Sequence, residues 1–208
     1  MSVAPRRDAA TALRQLSHLF VGRDLTDEQL VELTDVVTAW IQRADEQPVR
    51  VREFPGDRIR AWQEGVSLPE GARPTGFPDS VVTGDSNPMG LAARQWNEGD
   101  VAYAEATFDR AFEGAPGRGH GGILAALLDE TMGRIPAIFG SLAFTGRLEI
   151  SYRAPTPLYR PIMAKAWCTR REGRKFHIHA EIHDGETLVA EATALFIAVD
   201  LSKFLPSS

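Results

Sequence analysis

From residue 143 to residue 199 the chain consists of four apolar–polar alternating runs, and these constrain the fold more than any other feature of the sequence. Leu148, Ile150 and Tyr152 alternate with Glu149, Ser151 and Arg153; Phe176, Ile178, Ala180 and Ile182 alternate with His177, His179, Glu181 and His183. A period of two puts successive side chains on opposite faces of a strand. AFTGRLEISYR, PIMAKAWCTRR, KFHIHAEIH and TLVAEATALFIAV are therefore read as strands, separated by Ala154-Pro155-Thr156-Pro157, Glu172-Gly173 and Asp184-Gly185. Such short connections predict antiparallel neighbours in chain order. One face of the sheet is apolar and has to be covered.

The cover lies upstream. RGHGGILAALLDETMG, residues 118–133, opens a helix that is expected to end near Gly140. Before it, LAARQWN and VAYAEATFDR read as two strands around Glu98-Gly99-Asp100. Two strands, one long apolar helix and four strands make an α+β chain whose antiparallel sheet wraps the helix. The unit spans residues 91–200, with a tail at 201–208. Residues 65–90, rich in Gly, Pro, Ser and Asp, read as a connector. Residues 1–64 form an N-terminal helical extension. Leu13, Leu16 and Phe20 recur at helix spacing; Thr26 and Gln29 have the form of a capping box, with Asp27 and Glu28 in the first turn. Leu30, Leu33, Val37, Trp40 and Ile41 make one apolar face, which is expected to bury against something.

Several function classes drop out. A net charge of −5 over 208 residues argues against non-specific nucleic-acid binding. Cys168 is the single cysteine, read as an inert core thiol, and no intrachain disulfide can form. The first residues lack the apolar core of a signal peptide, and no apolar run is long enough for a bilayer, so a cytoplasmic protein with no membrane partner is expected. There is no Gly-x-Ser-x-Gly elbow and no dinucleotide or phosphate-loop fingerprint. His177, His179 and His183 share a face with Glu181, but alternation on a polar outer sheet face gives the same pattern. No metal and no cofactor is expected.

What remains is the helix start. Gly121 and Gly122 are poor helix residues, yet the first N–H groups of a helix lack partners within it. Bare glycines let a carbonyl or phosphate oxygen approach those amides; a tight loop-to-helix turn is the alternative. Further on, Gly122, Ala125, Ala126, Asp129 and Gly133 share a small-residue side that lets another backbone approach. A carboxylate there is costly if dry, which marks Asp129 for acid–base or nucleophilic work, whereas Glu130 reads as solvated. Gly121 and Asp129 are about 12 Å apart along one helix, so one small reacting group cannot touch both. Two antiparallel helices in a two-fold homodimer remove that difficulty.

EGAPGRGHGGILAALLDETMG, AFTGRLEISYRAPTPL and EATALF resemble the hotdog-fold acyl-CoA thioesterases of the PaaI-like class, over residues 85–200. The pattern is His-Gly-Gly with an Asp nine residues after the His; Asn87-Pro88 upstream is similar to many members. The resemblance implies a long helix wrapped by a curved antiparallel sheet, in homodimers that can pair into dimers of dimers. It implies hydrolysis of an acyl-CoA to a carboxylic acid and free coenzyme A, with coenzyme A as part of the substrate. By the same resemblance, a Gly121 or Gly122 amide polarises the thioester carbonyl, and Asp129 is general base or nucleophile. Thr145 orients the water or the carboxylate, and His120 braces the loop or assists the carbonyl. One departure is Gly114, where some relatives carry Asn; Glu113 is the candidate substitute. Arg153, Arg174 and Lys175, from a basic set around the strand turns that includes Arg160, Arg170 and Arg171, are the candidates for coenzyme A phosphates. The alternatives are a non-catalytic acyl-CoA or acyl-carrier binding module and a hotdog dehydratase or hydratase.

Overall fold

The structure is a computed structural model that describes residues 3–52, 60, 64–66 and 77–200. Residues 67–76 of the expected connector, 53–59 and 61–63 of the expected extension and the whole 201–208 tail lie outside the described residues.

Six strands form one antiparallel sheet: β1 (Arg94–Glu98), β2 (Val101–Thr107), β3 (Ala143–Tyr152), β4 (Pro161–Glu172), β5 (Lys175–Asp184) and β6 (Thr187–Ala198). Helix α3 (Gly121–Ile138) crosses its inner face and packs on β2 through β6. The inner face is rich in small residues. Ala102, Ala104 and Ala106 of β2, Ala164 and Ala166 of β4, Ala180 of β5 and Ala190, Ala192 and Ala194 of β6 are all buried. That lets the helix sit close and fill the space with Leu124, Leu127, Leu128, Met132 and Ile135, each fully buried. Helix α3 ends at Ile138, and just beyond its cap Phe139 the chain turns at Gly140, whose φ of +65° is in the left-handed region that suits glycine.

The strand order is β1-β2-β4-β5-β6-β3. The expectation that all four later strands lie side by side in chain order holds for β4, β5 and β6 but not for β3. Turns at Gly173 and Gly185 fold each strand straight back on its predecessor, with φ of +56° and +57°. Segment 153–160, carrying Pro155 and Pro157, is long enough to leave the sheet. It passes the start of α3, where Thr156 O accepts from Gly119 N at 2.9 Å and Phe108 O from Tyr159 N at 2.8 Å. Strand β3 therefore lies at a sheet edge, paired only with β6. Its inner residues Thr145, Leu148, Ile150 and Tyr152 stand beside Phe196, Ala194, Ala192 and Ala190.

Two helices precede the sheet, α1 (Val3–Gly22) and α2 (Asp27–Asp45). The Thr26–Gln29 capping box forms as its spacing requires. Helix α1 docks through small and polar residues. Arg14 donates to Asp85 O and Asn87 O at 3.0 and 2.7 Å, and His18 Nδ1 accepts from Ala111 N at 3.1 Å. The apolar face expected to bury on α2 does not do so within this chain: α2 has no buried residue, and Trp40 is 61% exposed. No helix among the described residues is long and apolar enough to cross a membrane.

Candidate active site

The two ends of the candidate site sit on α3, and neighbouring segments build each of them. At the start, His120 is the N-cap, with extended backbone (φ −70°, ψ 128°). Its Nδ1 accepts from the Gly122 amide at 2.9 Å, so the ring proton is on Nε2. Its backbone N donates to Phe112 O at 2.8 Å, which ties the cap to the loop before it. Of the two candidate amides, Gly122 is therefore occupied. The Gly121 N–H has no acceptor among the described residues, while its carbonyl accepts from the Tyr152 hydroxyl at 2.9 Å. Arg118, His120, Gly121, Tyr152, Arg153 and Pro155 are among the residues lining an open cleft in front of that amide.

The loop behind the cleft explains the departure at Gly114. A Cβ placed there would lie 2.9 Å from His120 Cα and 3.3 Å from its ring, so the glycine lets the loop close on the cap. Glu113 is engaged elsewhere, accepting from the Arg110 guanidinium and the Gly117 amide. These two bonds hold its carboxyl below the usual range, the Arg110 bond foremost.

Two turns along α3, Asp129 is half-buried and accepts from Thr145 Oγ1 at 2.7 Å. The bond joins the helix to the inner face of β3, beside a bulge between Thr145 and Arg147. Glu130 is not the solvated residue its neighbourhood in the sequence suggested. Its carboxylate accepts from Thr83 Oγ1 at 2.7 Å and Ser80 Oγ at 3.4 Å, and its carbonyl accepts from Gln95 Nε2 at 2.9 Å. The adjacent acids thus face different surroundings: Glu130 fastens segment 80–95 onto the helix, and Asp129 faces β3. The small side of α3 stays at the surface, with Ala125, Ala126 and Gly133 half-buried and Gly122 exposed.

The basic candidates are spread out. Arg153 lines the cleft and pairs with Glu191, Arg160 pairs with Asp184, and Arg170 with Glu172. Arg174 and Lys175 stand exposed at the β4–β5 turn, where Lys175 is level with Ile197 and so with the Phe144 end of β3. That is the opposite end of the sheet from Arg153. Cys168 is half-buried, and burial pushes its thiol up. Among the described residues no group of three or more His, Cys, Asp or Glu is placed to hold a metal ion. Sequence reasoning missed Arg118 and Tyr152. In the sequence Tyr152 reads as one more inward apolar residue, and nothing there shows that its hydroxyl reaches the Gly121 carbonyl.

Residues 117–191, which carry both ends of the site, match the thioesterase superfamily. The match covers 75 of the chain's 208 residues, and the fold around it is the hotdog fold. Among curated relatives, the acyl-coenzyme A thioesterase THEM4 of Mus musculus is 40% identical over 93 residues, covering 44% of this chain and 40% of that protein. THEM5 of Homo sapiens, also an acyl-coenzyme A thioesterase, is 29% identical over 96 residues, covering 45% and 39%. The match thus spans well under half the length of these relatives. A crystal structure of a thioesterase superfamily protein superposes with a TM-score of 0.75 at 21% identity, covering 92% of this chain and 94% of that one, so the fold likeness includes the N-terminal extension. The PaaI protein of E. coli superposes with a TM-score of 0.51 at 17% identity, covering 53% and 81%.

Proposed function

We propose that the protein hydrolyses acyl-CoA thioesters, at sites each made from two copies of the chain. The observation that carries the reading is the pair of half-sites on α3: an unpaired Gly121 N–H at the helix start, and Asp129 held by Thr145 at 2.7 Å two turns on. An amide at the positive end of a helix stabilises the oxyanion that forms when a thioester carbonyl is attacked. A carboxylate accepting only one side-chain hydrogen bond keeps lone pairs for a water or for direct attack.

Both groups act on one bond only if the second comes from a partner, because the rise of one helix keeps them about 12 Å apart. The open edge of β3 supports the reading, since a partner strand can pair there. Antiparallel pairing with the partner's β3, centred near Leu148, continues the sheet and brings Thr145 close to the partner's Tyr152. Asp129 then approaches the partner's Gly121. The same pairing sets Arg147 opposite the partner's Glu149, once on each side of the two-fold axis. Phosphates of coenzyme A meet Arg118 and Arg153 on the cleft rim, with Arg174 and Lys175 of the partner subunit arriving from the other sheet.

The test is free-thiol release from a panel of acyl-CoAs, with Asp129→Asn alongside. The reading expects turnover by the natural chain and a loss of about 10²-fold or more in the variant. Binding without turnover on any chain length would make the protein a binding module. Equal turnover by the variant would remove Asp129 from the chemistry.

A further inference from the structure

We infer that Tyr152 is a positioning residue: with His120 it clamps the Gly121–Gly122 peptide from opposite sides and so aims the Gly121 N–H into the cleft. The inference rests on the hydrolase reading for its consequence in catalysis, though not for the clamp itself.

A trans peptide points its C=O and its N–H in opposite directions. In the unit joining Gly121 to Gly122, the oxygen accepts from Tyr152 Oη at 2.9 Å and the N–H donates to His120 Nδ1 at 2.9 Å. Two glycines in succession are the residues least able to hold a peptide plane by themselves. The preceding peptide, which carries the Gly121 N–H, is held through His120 O, which accepts from Ile123 N and Leu124 N at 3.0 and 3.1 Å; with the next plane clamped on both sides, both torsions of Gly121 are fixed and its N–H keeps its aim.

The tyrosine has little else to do. It is 53% exposed, so its ring is not core filling. It lies against the glycine, since a Cβ at Gly121 would meet its Cε1, Cζ and Oη at 3.4 Å. It also ends β3, the strand whose outer edge is open. A partner strand seated on that edge would bear on the same side chain that steadies the amide, which links assembly to the aim of the oxyanion donor.

The experiment is Tyr152→Phe in the full chain, which keeps the ring and removes the hydroxyl. The expected result is a kcat lower by about three- to tenfold, the value of one ordinary hydrogen bond, with KM changed by less than about twofold and an unaltered oligomeric state. His120→Ala lowers kcat as well, and the double variant loses less than the product of the two single losses, because both side chains hold one peptide. Amide hydrogen exchange gives a readout that needs no turnover: it speeds up at Gly122, whose N–H is bonded to His120, in Tyr152→Phe. An unchanged kcat in an active protein would overturn the inference, as would a loss expressed in KM. If the natural chain hydrolyses no acyl-CoA, the hydrolase reading has failed. The clamp is then decided by exchange alone, with an unchanged rate at Gly122 overturning it.

Discussion

Asp129 and Thr145 are sixteen residues apart, on a helix and on the strand that follows it, and they meet at 2.7 Å. A hydroxyl donating to a carboxylate steadies it in one rotamer and removes one of its lone pairs from competition. Thr145→Val keeps the shape and deletes the donor. Steady-state kinetics on that variant should show kcat reduced by about tenfold or more, with KM little altered; an unchanged kcat would detach Thr145 from the function of Asp129. At this scale the sequence was legible wherever side-chain chemistry is rare. A bare helix start and an acid on a small-residue helix face stand out without coordinates. It was not legible where two readings share one residue type. Gly121 and Gly122 are identical in sequence, and only the His120 ring accepting from Gly122 separates them. Asp129 and Glu130 are adjacent acids, and only Thr83 and Ser80, far upstream in the chain, separate those.

At the scale of elements, period-two alternation located β3 to β6, and the apolar run located α3. Local pattern does not encode neighbours, however. Two-residue glycine turns dictate pairing, so β4-β5-β6 followed directly, while the Pro-bearing segment 153–160 carries the chain to another part of the sheet and leaves β3 at the edge. Helix α2 shows another side of the same limit. An amphipathic pattern predicts a buried face but not what buries it, and among the described residues nothing covers Trp40 or Ile41, both more than 60% exposed. The helix that does depend on burial is α3. Leu128 is fully buried against an alanine-rich sheet that cannot close on a void. Leu128→Ala should cost about 2–5 kcal/mol in urea or thermal unfolding, and a loss under about 0.5 kcal/mol would show that α3 is not the centre of the core.

For the whole molecule, the central claim is that one chain holds two halves of different sites. Complementation between inactive variants tests it most directly. Asp129→Asn removes one half. Gly121→Pro removes the other without breaking the helix: Gly121 is the first helical residue, where proline is tolerated, and His120 before it is already extended at ψ 128°. Each variant alone should be nearly inactive. Mixed one to one and allowed to exchange subunits, half of the dimers are hybrids, and each hybrid assembles one intact site from the natural Gly121 of one chain and the natural Asp129 of the other. The predicted result is recovery of about one quarter of the natural specific activity. A mixture that stays as inactive as its components after exchange, with hybrid dimers demonstrated in it by mass, would contradict the shared site.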